Sequence, residues 1–266
     1  MSFYDFYGNV LTFGGSGLVN HLFDDVFLIA HRGTSYYPEN TLIALENCVD
    51  EKGYKAVEFD FRFTSDDVCV ALHDTTINRT ARNADGTTIS GNVYISNITY
   101  AQALEYDFGI YKGESYAGEK IPTLEQFLML CKRKNVVAEL DIADRNFTDS
   151  QYASIYNTVK KCGMLSNTVF TIDKNKASKV ALSDSVILCI SGRTSTSLID
   201  EMDSFNFALG ICSCPVENFT KSLAEYAHNK GYKIKTWTVN SNATINSNLG
   251  DGVDAIITDS YLPSNI

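Results

Sequence analysis

Ala56-Val57-Glu58-Phe59-Asp60-Phe61 is an unbroken run of strand-forming residues with two acids set into it. Such runs, apolar on both faces, suit parallel strands covered on both sides. Glu58 and Asp60 are two apart, so on a strand they share a face. A second run, Val68–Leu72, follows after only Arg62–Asp67, too short a link for a parallel crossover. It is therefore predicted to fold back antiparallel. Centring the turn on Ser65–Asp66 brings His73 level with Phe59 and Asp60.

Similar runs recur outward from this point. Strands are predicted at Val26–His31, Ala56–Phe61, Val136–Asp141, Val169–Asp173, Val186–Ile190, Phe207–Cys212, Ile234–Val239 and Ala255–Asp259, mostly with helix-sized intervals between them. Thr123-x-x-Gln126 is a capping box ahead of Leu124, Phe127, Leu128 and Cys131, which line one helical face. Further helices are expected from near Glu39–Asn40, carrying Leu42, Leu45 and Val49, and over Ser222–Lys230 before Gly231. Alternating strand and helix implies a parallel sheet, and eight such strands imply an α/β fold closed as a (β/α)8 TIM barrel. A doubly wound open sheet, usually of about six to seven strands, is the alternative. Residues 74–121, rich in Asn, Gly and Tyr, offer no good barrel strand and read as an inserted excursion over one end. Residues 1–25 form a short appendage in which Phe3–Tyr7 and Val10–Phe13 flank Gly8-Asn9, a hairpin signal. The barrel domain is then 26–266.

The composition narrows the function. The chain has 266 residues, and 22 Lys+Arg against 32 Asp+Glu give a net charge of −10, which argues against a nucleic-acid partner and against docking on anionic membranes. No apolar run approaches the roughly 18 residues of a membrane span. The seven cysteines are odd in number and lack a CxxC pair, so neither a disulfide framework nor a zinc site is expected. With no signal peptide visible, a cytoplasmic location is favoured.

Glu139 and Asp141 repeat the two-apart acidic pattern of Glu58 and Asp60 on the next parallel strand. One such pair reads most simply as a strand end at solvent or as partners of a buried arginine. Two pairs on adjacent strands favour a shared role, and an oxygen-only donor set suits Mg2+ or Ca2+ rather than Zn2+. His31 ends the first barrel strand, where active sites of this fold lie, and His73 ends the folded-back strand. Two histidines converging on carboxylates, with Arg32 beside them, point to general acid–base work on an anion that arginine grips. His21 and His228 fall in the appendage and in a helix.

His31-Arg32-Gly33, Pro38-Glu39-Asn40-Thr41, Glu58-Phe59-Asp60, Thr64-Ser65-Asp66 and His73-Asp74 together resemble the glycerophosphodiester phosphodiesterase family. Arg79-Thr80, Ala117-Gly118-Glu119, Ile121-Pro122-Thr123-Leu124-Glu125, Trp237-Thr238-Val239-Asn240 and Gly252–Asp259 extend the resemblance over about residues 26–261. It implies a metal-dependent phosphodiesterase acting on small glycerophosphodiesters. His31 and His73 would be the acid–base pair, Glu58, Asp60 and Glu139 the ligands of one divalent cation (Mg2+ or Ca2+), Arg32 the phosphate grip and Trp237 part of the substrate channel. Many members attack phosphorus with the substrate's own glycerol hydroxyl, and water then opens the cyclic phosphate. Asn240 matches the family's usual residue without a defined role. The chain departs from the pattern at Asp141, where the family commonly has lysine. That change weakens phosphate binding, recruits a fourth metal ligand or turns Asp141 to another partner. Two other readings stand beside the hydrolase: a sphingomyelinase-D-like lyase that stops at the cyclic phosphate, and a silent barrel used for binding or attachment.

Overall fold

The computed structural model describes residues 3–4, 10–11 and 27–265, apart from 144, 183–185 and 193. Among these, eight parallel strands close into a barrel: β3 (Phe27–His31), β4 (Ala56–Phe63), β6 (Val137–Asp141), β7 (Thr168–Asp173), β8 (Ile187–Ser191), β9 (Leu209–Pro215), β10 (Lys233–Trp237) and β11 (Ala255–Thr258). β3 pairs with both β11 and β4, which completes the ring and sets aside the open sheet. Two short strands precede it, β1 (Phe3–Tyr4) and β2 (Val10–Leu11), paired antiparallel. The Gly8-Asn9 turn and the rest of the appendage lie outside the described residues. β9 runs later than the sequence indicates, to Pro215, because Ser213 is a polar residue facing the barrel interior and not a strand end. β10 stops at Trp237, two residues early.

The folded-back strand is β5 (Cys69–Ala71), antiparallel to β4 with Phe61 opposite Ala71. Extending that register puts His73 opposite Phe59, and the Leu72 amide donates to the Asp60 carbonyl at 2.9 Å. The tight turn holds because the Thr64 hydroxyl accepts from the Val68 amide at 3.0 Å and Asp67 takes a left-handed φ of 58°.

Helices α1 (Leu42–Asp50), α2 (Tyr100–Ala103), α3 (Leu124–Lys134), α4 (Asp149–Cys162), α5 (Thr196–Glu201) and α6 (Lys221–Asn229) each follow a Thr or Ser whose hydroxyl caps the first turn, whereas α7 (Asn242–Gly250) follows Ser241 without such a cap. Thr123 and Gln126 make the reciprocal capping box, and Thr148 with Gln151 repeats it at α4. The outward faces of the strands, such as Phe59, Leu140 and Phe170, join the helices in the main core, with Phe59 stacked on Phe127 at 4.5 Å between ring centres. Residues 74–121 carry a small core of their own, in which Ile77, Ile95, Phe108 and Ile121 pack on Val70 and Leu72. No helix among the described residues is long and apolar enough to cross a membrane.

Candidate active site

The inward face of each strand changes character along its length. At the N-terminal end, Ile29, Ala56, Val137, Val169, Ile187, Leu209 and Ala255 fill the barrel with a separate apolar plug. Further along, four strands turn polar on that face after two residues, at His31, Glu58, Glu139 and Thr171, and a fifth after four, at Ser213, while Cys189, Ile211 and Ile257 extend the plug; the polar residues line a cavity of about 530 Å³. The period of two thus sets these polar side chains above the apolar plug, at the end where active sites of this fold lie.

Strand register brings the acids together. His31 lies opposite Glu58, Glu58 opposite Glu139, and Asp60 opposite Asp141. Glu58, Asp60 and Glu139 are each no more than 2% exposed. Burial, and the crowding of Asp60, Asp141 and Glu139 around it, push the Glu58 carboxyl well above the usual carboxylate range. Burial and the facing Asp60 raise Asp141 to about 7.

Their other partners differ. The Arg32 amide donates to Glu58 Oε2 at 3.0 Å, and Glu58 Oε1 has no hydrogen-bond partner. Asp60 receives Asn40 Nδ2 at 3.1 Å and Arg145 Nη2 at 3.2 Å, and Arg32 Nε lies 3.0 Å from it. Glu139 Oε1 accepts from Thr171 Oγ1 at 2.7 Å and from Lys235 Nζ, whose side chain is fully buried. One carboxylate oxygen each from Glu58, Asp60 and Asp141 lies within 4.8 Å of the other two. That all-oxygen donor set, with an orphaned buried oxygen on Glu58, fits a hard divalent cation.

Each histidine leans on a carboxylate. His31 Nδ1 is 2.6 Å from Asp259 Oδ1. The Asn240 side chain fixes Asp259 by donating to Oδ2 at 2.7 Å and accepting from its amide at 2.8 Å. The hydrogen bond from His31 is the main cause of a lowered Asp259 carboxyl pKa. His73 Nδ1 is 2.6 Å from Asp74 Oδ1, and Arg79 Nε donates to Asp74 Oδ2 at 2.7 Å. Burial opposes ionisation of Asp74, but the bonds from Arg79 and His73 outweigh it and hold the carboxyl at about 2. Arg79 also makes a two-pronged contact with Glu39 at 2.6 and 2.7 Å. An ionised carboxylate only accepts, so each Nδ1 carries the proton, and Nε2 of the neutral ring is left as the base.

The backbone after His31 is strained. Arg32, Gly33 and Thr34 have φ of 52°, 81° and 78°, a left-handed run that non-glycine residues rarely adopt. It turns the Arg32 amide toward Glu58. A Cβ on Gly33 would sit 2.7 Å from Ala44 Cβ, because the turn lies against α1. Gly33→Ala is therefore expected to destabilise the fold by at least ~1–2 kcal/mol, lowering the melting temperature by several degrees. An unchanged melting curve would show that the turn relaxes freely.

The structure thus brings His31, His73, Arg32, Glu58, Asp60, Glu139, Asp141 and Trp237 to one cavity, with Trp237 37% exposed at its wall and Asn240 behind Asp259. Sequence reasoning assigned no role to Asp259, Asp74, Arg79 or Glu39, although each stands inside a quoted motif. Arg145 and Lys235 were not singled out at all. A lysine two residues before Trp237 on a barrel strand shares its inward face, and that spacing was the available signal for Lys235.

Residues 31–262 match the family model of the glycerophosphoryl diester phosphodiesterases. A glycerophosphodiester phosphodiesterase from Caldanaerobacter subterraneus subsp. tengcongensis is 27% identical over 240 residues, covering 87% of this chain and 93% of the relative. A crystal structure from Silicibacter pomeroyi DSS-3 superposes with a TM-score of 0.78 at 25% identity, over 92% of this chain and 94% of that one. An Oleispira antarctica phosphodiesterase, solved with the product sn-glycerol-3-phosphate, shares the fold with a TM-score of 0.68 at 22% identity, over 88% of this chain and 92% of that one. With the family model spanning nearly the whole barrel, and curated and structural relatives covering most of the chain, the chain belongs to the glycerophosphoryl diester phosphodiesterase family.

Proposed function

We propose that this chain hydrolyses small glycerophosphodiesters to glycerol 3-phosphate and an alcohol, with His31 and His73 exchanging protons and one divalent cation, Mg2+ or Ca2+, held at the acidic cluster. The observation that carries the reading is the pairing of both histidines through Nδ1 with carboxylates, so that two Nε2 atoms serve one cavity lined by Glu58, Asp60 and Arg32. The product bound to the Oleispira relative supports the same substrate class.

Formal charge supports a cation. Six acids line the cavity (Glu58, Asp60, Glu139, Asp141, Asp173 and Glu217) against the three cations Arg32, Arg145 and Lys235, so it is acidic where an anionic diester must enter. A divalent ion held there would offset much of that charge and would neutralise charge on the phosphate oxygens. Arg32 grips the phosphate. One histidine takes the proton from the attacking hydroxyl as its oxygen bonds phosphorus, and the other, protonated, gives its proton to the alkoxide that leaves. The attacking group is the neighbouring glycerol hydroxyl, which closes a cyclic phosphate. Water then attacks phosphorus with the histidine roles reversed: one histidine takes its proton as the ring P–O bond breaks, and the other protonates the released glycerol oxygen. Seven free cysteines support a reducing compartment such as the cytoplasm.

Phosphorus NMR of glycerophosphocholine, glycerophosphoethanolamine and glycerophosphoglycerol incubated with the protein tests this reading. Glycerol 3-phosphate is expected with Mg2+ or Ca2+, its formation stopped by EDTA and restored by either ion. A persistent cyclic phosphate would make the chain a lyase, and turnover indifferent to EDTA would remove the cation.

A further inference from the structure

We infer that the third acid holding the cation in this chain is Asp141, and that Lys235 keeps Glu139 out of the ligand set. This rests on the metal-dependent reading above and names its ligands.

Glu139 and Asp141 both face the cavity from β6, so the question is which of them is free to bind. Glu139 Oε1 is already engaged by Lys235 Nζ and Thr171 Oγ1. Lys235 has no exposed surface, and its Nζ is also 3.1 Å from Thr171 Oγ1. A buried ammonium cannot exchange its carboxylate for water. A cation on Glu139 would have to share that carboxylate with a second positive charge at close range.

Asp141 is placed differently. It lies directly across the register from Asp60, and among the described residues its one hydrogen bond is from the Ala143 amide to Oδ1 at 2.9 Å. No lysine or arginine ion pair to Asp141 is present among the described residues, whereas Asp60 has Arg32 and Arg145. Glu58, 2% exposed, adds Oε1, an oxygen with no hydrogen-bond partner. Like charges on adjacent strands are costly unless a cation lies between them. The three oxygens within 4.8 Å of one another come from Glu58, Asp60 and Asp141, and Glu139 is not among them. Glu139 Oε2 is also unpartnered, so Glu139 is the rival ligand against which the assignment is tested.

The sequence contains a single tryptophan, Trp237, and it lines this cavity. It serves as an antenna for Tb3+, a luminescent substitute for Ca2+. Titration of the full chain with Tb3+, excited through Trp237 and competed with Ca2+, reads cation affinity without turnover. Asp141→Asn is expected to weaken both ions by at least ~10-fold, and Glu139→Gln by less than ~3-fold. Both replacements preserve shape, and circular dichroism melts would confirm folding. Glu58→Gln, expected to weaken binding by at least ~10-fold, ties the signal to this cluster. Weakening by Glu139→Gln with Asp141→Asn near the parent overturns the ligand assignment alone. No cation binding by the parent overturns the metal-dependent reading and the assignment with it.

Discussion

Replacing either His31 or His73 with alanine is expected to lower kcat by ~10²–10⁴-fold, the usual contribution of a positioned proton donor or acceptor. Each ring has one nitrogen committed to a carboxylate at 2.6 Å and the other available to the cavity. In the proposed mechanism, losing either ring would remove one of two proton transfers, and the remaining histidine, set on another element of the barrel mouth, would not replace it. His31 ends β3, whereas His73 follows β5, so the two rings approach from different strands. The pH dependence of turnover provides a second measure. A paired acid and base give a bell-shaped profile, and each alanine variant should lose one limb. Asp259→Asn tests the support beneath His31. It leaves a side chain of the same shape in the grip of Asn240, but can donate to Nδ1 and so favour the wrong tautomer. It should reduce kcat while leaving KM near the parent value. Single-turnover assays at saturating substrate would measure these losses. Retention of more than a tenth of parental kcat by either alanine variant would remove that histidine from the proton-transfer step.

The parts of this picture that the sequence made readable are those set by local periodicity. Eight aliphatic runs, the short Arg62–Asp67 link and the capping box at Thr123 depend on neighbours within a few residues. The antiparallel pairing that places His73 beside the Asp60 strand follows from turn length alone. Acid spacing on β4 and β6 likewise showed that four carboxylates share one interior. Their partners were less readable because barrel closure supplies them. Lys235 meets Glu139 across a separation of 96 residues, Arg145 meets Asp60 across 85, and Asp259 meets His31 across 228. The spacing from Trp237 puts Lys235 on the inward face, but nothing local in Ile234-Lys235-Thr236 distinguishes a lysine that snorkels to the barrel mouth from one sealed inside. That distinction depends on strand register and on which acids stand opposite, information held only by the closed ring.

Lys235→Met is expected to destabilise the metal-free protein by about 3–5 kcal/mol, the usual result of leaving one member of a buried ion pair alone. The ion pair need not be a large net contributor to stability, since both charges lost their hydration on folding. The effect comes from asymmetry. Lys235 is fully buried and Glu139 is 1% exposed, so neither side chain regains water when the other is removed. Methionine fills much of the volume but leaves Glu139 beside Glu58, with Asp60 and Asp141 nearby and only Arg32 and Arg145 to offset them. Glu139→Gln should cost less than Lys235→Met, because Lys235 would still lie in the field of the remaining acids and keep Thr171 as a partner. The double variant Lys235→Met/Glu139→Gln should recover most of the loss, giving a coupling energy of about 1–3 kcal/mol in a double-mutant cycle. Urea melts of the four proteins in EDTA would measure it. Repeating the melts in Ca2+ should stabilise Lys235→Met more than the parent, because Glu139 is no longer held by an ammonium and joins the cation. If Lys235→Met melts within about 1 kcal/mol of the parent in EDTA, the lysine is not compensating the acids. In that case the barrel must already be relieving their repulsion by protonation, consistent with the raised Glu58 and Asp141 carboxyls.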